Sequence, residues 1–128
     1  MNVVDSSAWL EYFGNGPNAD AFATSIEAPQ RLAVPTLALF EVFKRTYQLK
    51  GEVTALEAIA VMLQGRMVEL PAGLALDAAK LSLYSGLALA DSIILATARA
   101  EDAVLWTQHA HFQGLEKVEY REKRKTPG

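Results

Sequence analysis

The stretch LWTQHAHF, residues 105–112, holds both histidines of the chain, His109 and His111. Imidazole ligates metals and moves protons near neutral pH. The pair is therefore read three ways: as metal ligands, as a hydrogen-bonding or proton-transferring lining of a site, or as loop neighbours. The other groups able to do chemistry are three acids set at the edges of apolar stretches: Asp5 after NVV, Glu41 within LALFEVFK, and Asp91 within LALADSIILATA. If these acids meet, their mutual repulsion favours a hard cation. Oxygen-only ligation by several carboxylates suits Mg2+ or Mn2+, which keep waters and bind phosphates. The chemistry indicated is phosphoryl or phosphodiester transfer. The chain has no cysteine, so disulfides, thiol nucleophiles, thiolate zinc sites and iron–sulfur clusters are excluded together.

Each acid also has a plainer reading. Asp5, followed by Ser6 and Ser7, is an expected N-cap of the helix that begins AWLEYF. Glu41 can pair with Arg45 at i,i+4 on a helix surface. On a helical wheel Leu39, Phe40, Phe43 and Tyr47 share one face and Glu41 falls with Lys44 and Gln48 opposite, which suits solvent and a cleft wall equally. Asp91 can cap a helix, yet its surroundings are so apolar that it should be largely enclosed. An enclosed carboxylate without a partner neutralises, whereas a cation keeps it ionised.

The elements that must position these groups alternate. Short β-rich stretches (NVV, LAV, MVEL, AVLWT, KVEYR) are followed by turn residues and helical patterns. That alternation predicts an α/β fold, a three-layer α/β/α sandwich on a central parallel sheet of about five strands. TLALFEVFKRTYQL and VTALEAIAVMLQ read as a helical hairpin broken at Gly51, NADAFATSIEA as a further amphipathic helix, and DSIILATARAED as a buried one. In such sheets ligands bind beyond the carboxyl ends of the strands, where Asp5 and Thr107 fall.

The chain of 128 residues is half hydrophobic and a fifth charged, as expected of one globular domain over 1–128. Its apolar runs are too short to span a bilayer and the N-terminus lacks a basic leader, so a cytoplasmic protein with no membrane association is expected. With a net charge of −3, nucleic-acid binding would have to use local patches. Lys44, Arg45 and Lys50 form one candidate patch for an RNA backbone. The basic tail at about 121–128, containing REKRK, is another, and in both cases ordinary solvated charges are the alternative.

In order, VVDSSAWLEYF, VPTLALFEVFK, GLALADSIILATA and LWTQHAHF resemble the motifs of PIN-domain ribonucleases, most of all the VapC-type toxins of bacterial toxin–antitoxin pairs. The resemblance covers essentially residues 1–120. It implies a metal-dependent endoribonuclease, the toxin of a type II pair, with an RNA substrate, Mg2+ (or Mn2+) as cofactor, a cognate antitoxin protein as partner, and a homodimer. Residue by residue, the first three acids of the family pattern fall on Asp5, Glu41 and Asp91, and its hydroxyl after the fourth strand falls on Thr107. On this reading Asp5 and Asp91 hold the metal, Glu41 orients the ion or the attacking water, and Ser6 and Thr107 support them by hydrogen bonds. The departure is at the fourth acid, where this chain has His109, with His111 as the lesser suspect. A softer imidazole there favours Mn2+ over Mg2+ and one metal over two.

Two other readings compete with an active nuclease. One is a degenerate PIN domain that only binds RNA or protein. The other is a phosphoacceptor receiver-type domain, disfavoured because Leu70 and Pro71 stand where it needs an acid. Trp9, Tyr12 and Phe13 are read either as a partner surface or as core.

Overall fold

In the computed structural model, which describes residues 1–125, five strands form one sheet in the order β3-β2-β1-β4-β5 with every pairing parallel. The strands are β1 (Asn2–Val4), β2 (Leu32–Pro35), β3 (Arg66–Val68), β4 (Val104–Thr107) and β5 (Val118–Tyr120). Six helices connect them: α1 (Ser6–Phe13), α2 (Ala19–Ile26), α3 (Thr36–Lys50), α4 (Glu52–Met62), α5 (Ala72–Ser85) and α6 (Leu89–Ala100). The expected α/β sandwich with a parallel sheet is the fold observed.

Alternation along the strands builds the layers. Val4, Leu32 and Val34 pack with α1–α4 residues such as Trp9, Phe22, Val42 and Met62. The intervening Val3, Ala33 and Leu105 pack on the other face with Ile94, Leu95 and Ala98 of α6 and with Phe112. Successive side chains of a strand point to opposite faces, so three-residue strands suffice to hold two cores.

The helical hairpin forms as expected. Gly51, at φ +86°, ends α3 and begins α4, a conformation most side chains resist. The wheel of α3 left its faces unassigned; the buried one is the small one, Ala38, Val42 and Thr46, while Phe40 is 61% and Tyr47 48% exposed. Small residues at i, i+4 and i+8 let the helix lie close to its neighbours, and bulk is left outside.

α5 and α6 meet in a bend of 117°, with Gly86 at φ +70° ending α5. No single helix among the described residues is long and apolar enough to cross a membrane.

The described part of the tail stays exposed but is tied down at Arg124, whose guanidinium donates to Asn18 Oδ1 at 3.0 Å and to the Pro17 carbonyl at 3.0 Å. The remainder of the predicted tail, residues 126–128, lies outside the described residues.

Candidate functional site

The chain runs β1, β2, β3 outward on one side of the sheet and then returns to place β4 on the other side of β1. In open α/β sheets such a switch in direction marks the ligand crevice, outside the carboxyl ends of the strands, here β1 and β4. Asp5 directly follows β1 and Thr107 ends β4, both buried at its base. The Asp5 amide donates to the Trp106 carbonyl at 3.0 Å, which joins the two strand ends.

The plainer reading of Asp5 is met. As N-cap of α1 its Oδ1 accepts from the Ala8 amide at 3.1 Å and from the Ser7 hydroxyl at 2.6 Å. Its Oδ2 accepts from the Thr107 hydroxyl at 2.7 Å. The side chain is nearly inaccessible, and burial raises its pKa above the usual carboxylate value against the opposing pull of the Ser7, Thr107 and Ala8 hydrogen bonds and the His109 charge.

The two serines divide their work. Ser6 does not touch Asp5: its hydroxyl donates to Glu41 Oε1 at 2.6 Å. Ser7, which sequence reasoning left without a role, is the hydroxyl on Asp5 and also accepts from the Gln108 amide at 3.3 Å. The signal was available, because Ser7 lies two residues past the N-cap, where a hydroxyl can reach back to the capping carboxylate. Glu41 does not form the expected pair with Arg45, which donates instead to Gln48 Oε1 at 3.4 Å.

Asp91 is in the first turn of α6, two residues inside a helix that starts at Leu89, and is not its N-cap. Its side chain is 15% exposed, largely enclosed as its apolar flanks suggest. Two imidazoles face it. His109 Nδ1 lies 3.3 Å and His111 Nδ1 3.4 Å from the same oxygen, Asp91 Oδ2. His111, expected to be the lesser of the pair, is therefore as close to Asp91 as His109 is.

His109 links the two parts of the cleft. Its backbone amide donates to Thr107 Oγ1 at 2.9 Å, and Thr107 in turn donates to Asp5. Among the described residues, the group that brings three metal-ligating atoms within 4.8 Å of one another is Asp91, His109 and His111. Asp5, Glu41 and Asp91 do not form such a group. The donors present, carboxylates with two imidazoles, nonetheless fit a divalent ion.

A family model for the PIN domain matches residues 3–117. The chain belongs to the PIN-domain family. No curated protein sequence matches it. Among solved structures, this PIN domain resembles a chain of a toxin–antitoxin complex from Klebsiella pneumoniae, with 21% identity and a TM-score of 0.77 over 93% of this chain and 96% of that one. It also resembles VapC20 of Mycobacterium tuberculosis, described as a sarcin–ricin-loop-cleaving toxin, with 17% identity and a TM-score of 0.69 over 81% and 85% of the two chains. A third likeness is to DNA-bound VapBC from Salmonella typhimurium, with 12% identity and a TM-score of 0.72 over 94% and 96%. At these identities the likenesses establish the fold.

The predicted basic trio of the PIN domain divides in two. Arg45 and Lys50 line a groove of about 580 Å³ beside α1, α3 and α4, together with Leu10, Phe13, Val61 and Lys123. Ser7 and Gln108 line it too, so the groove adjoins the crevice. Lys44 is not among its lining residues and lies 5.8 Å from the centre of the Phe40 ring. Of the predicted aromatic surface, Trp9 is fully buried in the core with Phe13 stacked on it at 5.6 Å, and Tyr12 donates to Glu27 at 2.8 Å.

Proposed function

We propose that this PIN domain is a metal-dependent endoribonuclease that hydrolyses RNA phosphodiester bonds as the toxin of a type II toxin–antitoxin pair. The observation that carries the reading is Asp5: a buried carboxylate at the switch point of a PIN-family sheet, held by two hydroxyls and a helix N-terminus. Any buried carboxylate needs hydrogen-bond partners, and an N-cap has them too. What supports a working site is the place of Asp5, beyond the end of β1 at the switch point where open α/β sheets bind ligands.

In this reading Asp5 and Asp91 hold a Mg2+ or Mn2+ ion. When bound, the ion supplies Lewis acidity, making water more acidic and offsetting charge at the phosphate. Glu41, fixed by Ser6, orients the attacking water. Thr107 orients Asp5 and, through the His109 amide, ties the histidine turn to it. His109 lines the site. Arg45 and Lys50 steer the RNA backbone, with Lys44 a weaker contributor because it stands apart from the groove.

An antitoxin protein is the proposed partner. The groove supports this, being apolar along Leu10, Phe13 and Val61, basic at Arg45, Lys50 and Lys123, and continuous with the crevice. A homodimer in the cytoplasm completes the proposal, and sedimentation of the purified protein checks its oligomeric state.

The deciding experiment is cleavage of mixed RNA by purified protein with Mg2+ or Mn2+, beside an Asp5→Ala control. Cleavage by the native chain only is the expected result. Equal cleavage by the control removes Asp5 from the reaction. A second reading, a PIN domain that binds RNA or protein without cutting, is favoured by His109 standing where the family pattern has an acid. Metal-independent RNA binding without cleavage would support it.

A further inference from the structure

The nuclease reading takes its ion from the family pattern; the residues at the mouth of the crevice indicate a different ion class. We propose that Asp91, His109 and His111 form a binding site for a transition-metal ion of the zinc, cobalt and nickel class, with one carboxylate and two imidazoles as ligands. The inference deepens the nuclease reading and rests on it for what the ion does, but not for whether the ion binds.

Spacing is the first ground. Both Nδ1 atoms approach one oxygen of Asp91, at 3.3 and 3.4 Å. A charge-assisted N–H to carboxylate hydrogen bond is shorter, about 2.7–2.9 Å. Ligands at about 2.0–2.1 Å around a tetrahedral zinc are separated by roughly 3.3 Å, the edge of the tetrahedron. Octahedral Mg2+ places adjacent ligands only about 2.9 Å apart. The two separations to Asp91 Oδ2 are of the length of a tetrahedral edge, and all three ligand atoms lie within 4.8 Å of one another.

Donor chemistry is the second. Two imidazole nitrogens and one carboxylate oxygen are softer than the all-oxygen set that Mg2+ prefers, and affinity for such mixed sites climbs toward nickel, copper and zinc. Three protein ligands also leave a position for water or a substrate oxygen, as in metal sites that do chemistry.

Preparation of the site is the third. His109 is held by its amide to Thr107 Oγ1 at 2.9 Å, and the short 3-10 turn Ala110–Phe112 carries His111 back beside it, the two rings 4.4 Å apart. The turn closes with the Phe112 amide donating to the His109 carbonyl at 3.1 Å. Phe112 anchors it in the core, fully buried and edge-on to the His109 ring at 5.9 Å. With side chains 41% and 63% exposed, His109 and His111 leave the ion a path from solvent.

Titration calorimetry with Zn2+, and Co2+ titration followed by visible absorption, test the proposal on the intact chain. The expected result is one ion per chain, bound about a hundredfold or more tighter than Mg2+. His109→Ala and His111→Ala should each weaken Zn2+ about tenfold or more, a loss of about 1.4 kcal/mol. Both positions are on the surface, and circular dichroism verifies that the variants fold. Asp77→Asn, which changes an exposed acid on α5, should leave the affinity as it was. If the double variant His109→Ala/His111→Ala binds Zn2+ as tightly as the native chain, or the native chain binds Mg2+ equally well, the imidazoles only hydrogen-bond to Asp91 and the proposal fails. Asp5-dependent RNA cleavage that persists in that case would leave the nuclease reading standing. Zn2+ binding through the trio without any RNA cleavage would overturn the nuclease reading alone.

Discussion

Asp5 and Asp91 are both carboxylates at the edge of one crevice, yet their surroundings are opposite. Asp5 sits at the centre of the sheet, 3% exposed, its Oδ1 accepting from an amide and a hydroxyl and its Oδ2 from the Thr107 hydroxyl, which leaves Oδ2 a further lone pair. Asp91 sits at the rim, on the first turn of a helix, with two half-open imidazoles converging on one oxygen. The centre is a fixed hydrogen-bonded assembly that tolerates a buried charge poorly. The rim is accessible and short of close partners. A site built this way keeps one acid in place by covalent topology and hydrogen bonds, and leaves the other to gather a ligand.

The sharpest way to break the comparison is at the centre. Asp5→Ala should reduce RNA cleavage by a factor of about 10² or more, since loss of a group that only supports a metal ligand already costs about 10–100-fold, and single-turnover cleavage assays read it. The same change removes the N-cap of α1 and should cost about 1 kcal/mol in denaturant unfolding.

The rim depends on its anchor. Phe112→Ala should destabilise the fold by about 3–5 kcal/mol, since a fully buried ring is lost from beneath the histidine turn. Chemical denaturation measures it, and a cost below about 1 kcal/mol would mean that the turn is held by something else.

Thr107→Val sharpens the link between the two regions. It removes the donor to Asp5 and the acceptor of the His109 amide together, at an expected cost of about 1–3 kcal/mol. If the link matters for function, Zn2+ affinity at the rim should fall as well.

The smallest effect concerns charge at the centre. Because burial raises the Asp5 pKa in the folded chain, the folded state favours the protonated acid. Its contribution is therefore fully present below the ordinary carboxylate pKa and is lost as pH rises through the raised value. Asp5→Asn keeps the cap without the charge, so in metal-free buffer it should raise Tm by a few degrees at neutral pH and by less in acid. Thermal melts at the two pH values check this, and an equal shift at both would contradict it.

Much of this was legible in the residues. The alternation of short apolar strands with helical patterns carried the parallel sheet, because a strand buried on both faces must be apolar throughout and its crossover must be helical. Asp5, Thr107 and the histidines were visible as polar groups directly after strands. Ser7 and Glu41 were harder. Which serine reaches Asp5 depends on the first turn of α1, and Glu41 meets Ser6 from 35 residues away.

By itself the sequence determined the fold class, the hairpin broken at Gly51 and the acid that caps α1, all products of local pattern and backbone preference. Tertiary structure alone decided which face of α3 is buried, that the described tail docks through Arg124, and that His111 stands level with His109 at Asp91. These are meetings between segments far apart in the chain, and no local periodicity encodes the distance between two elements that pack only after the sheet has formed.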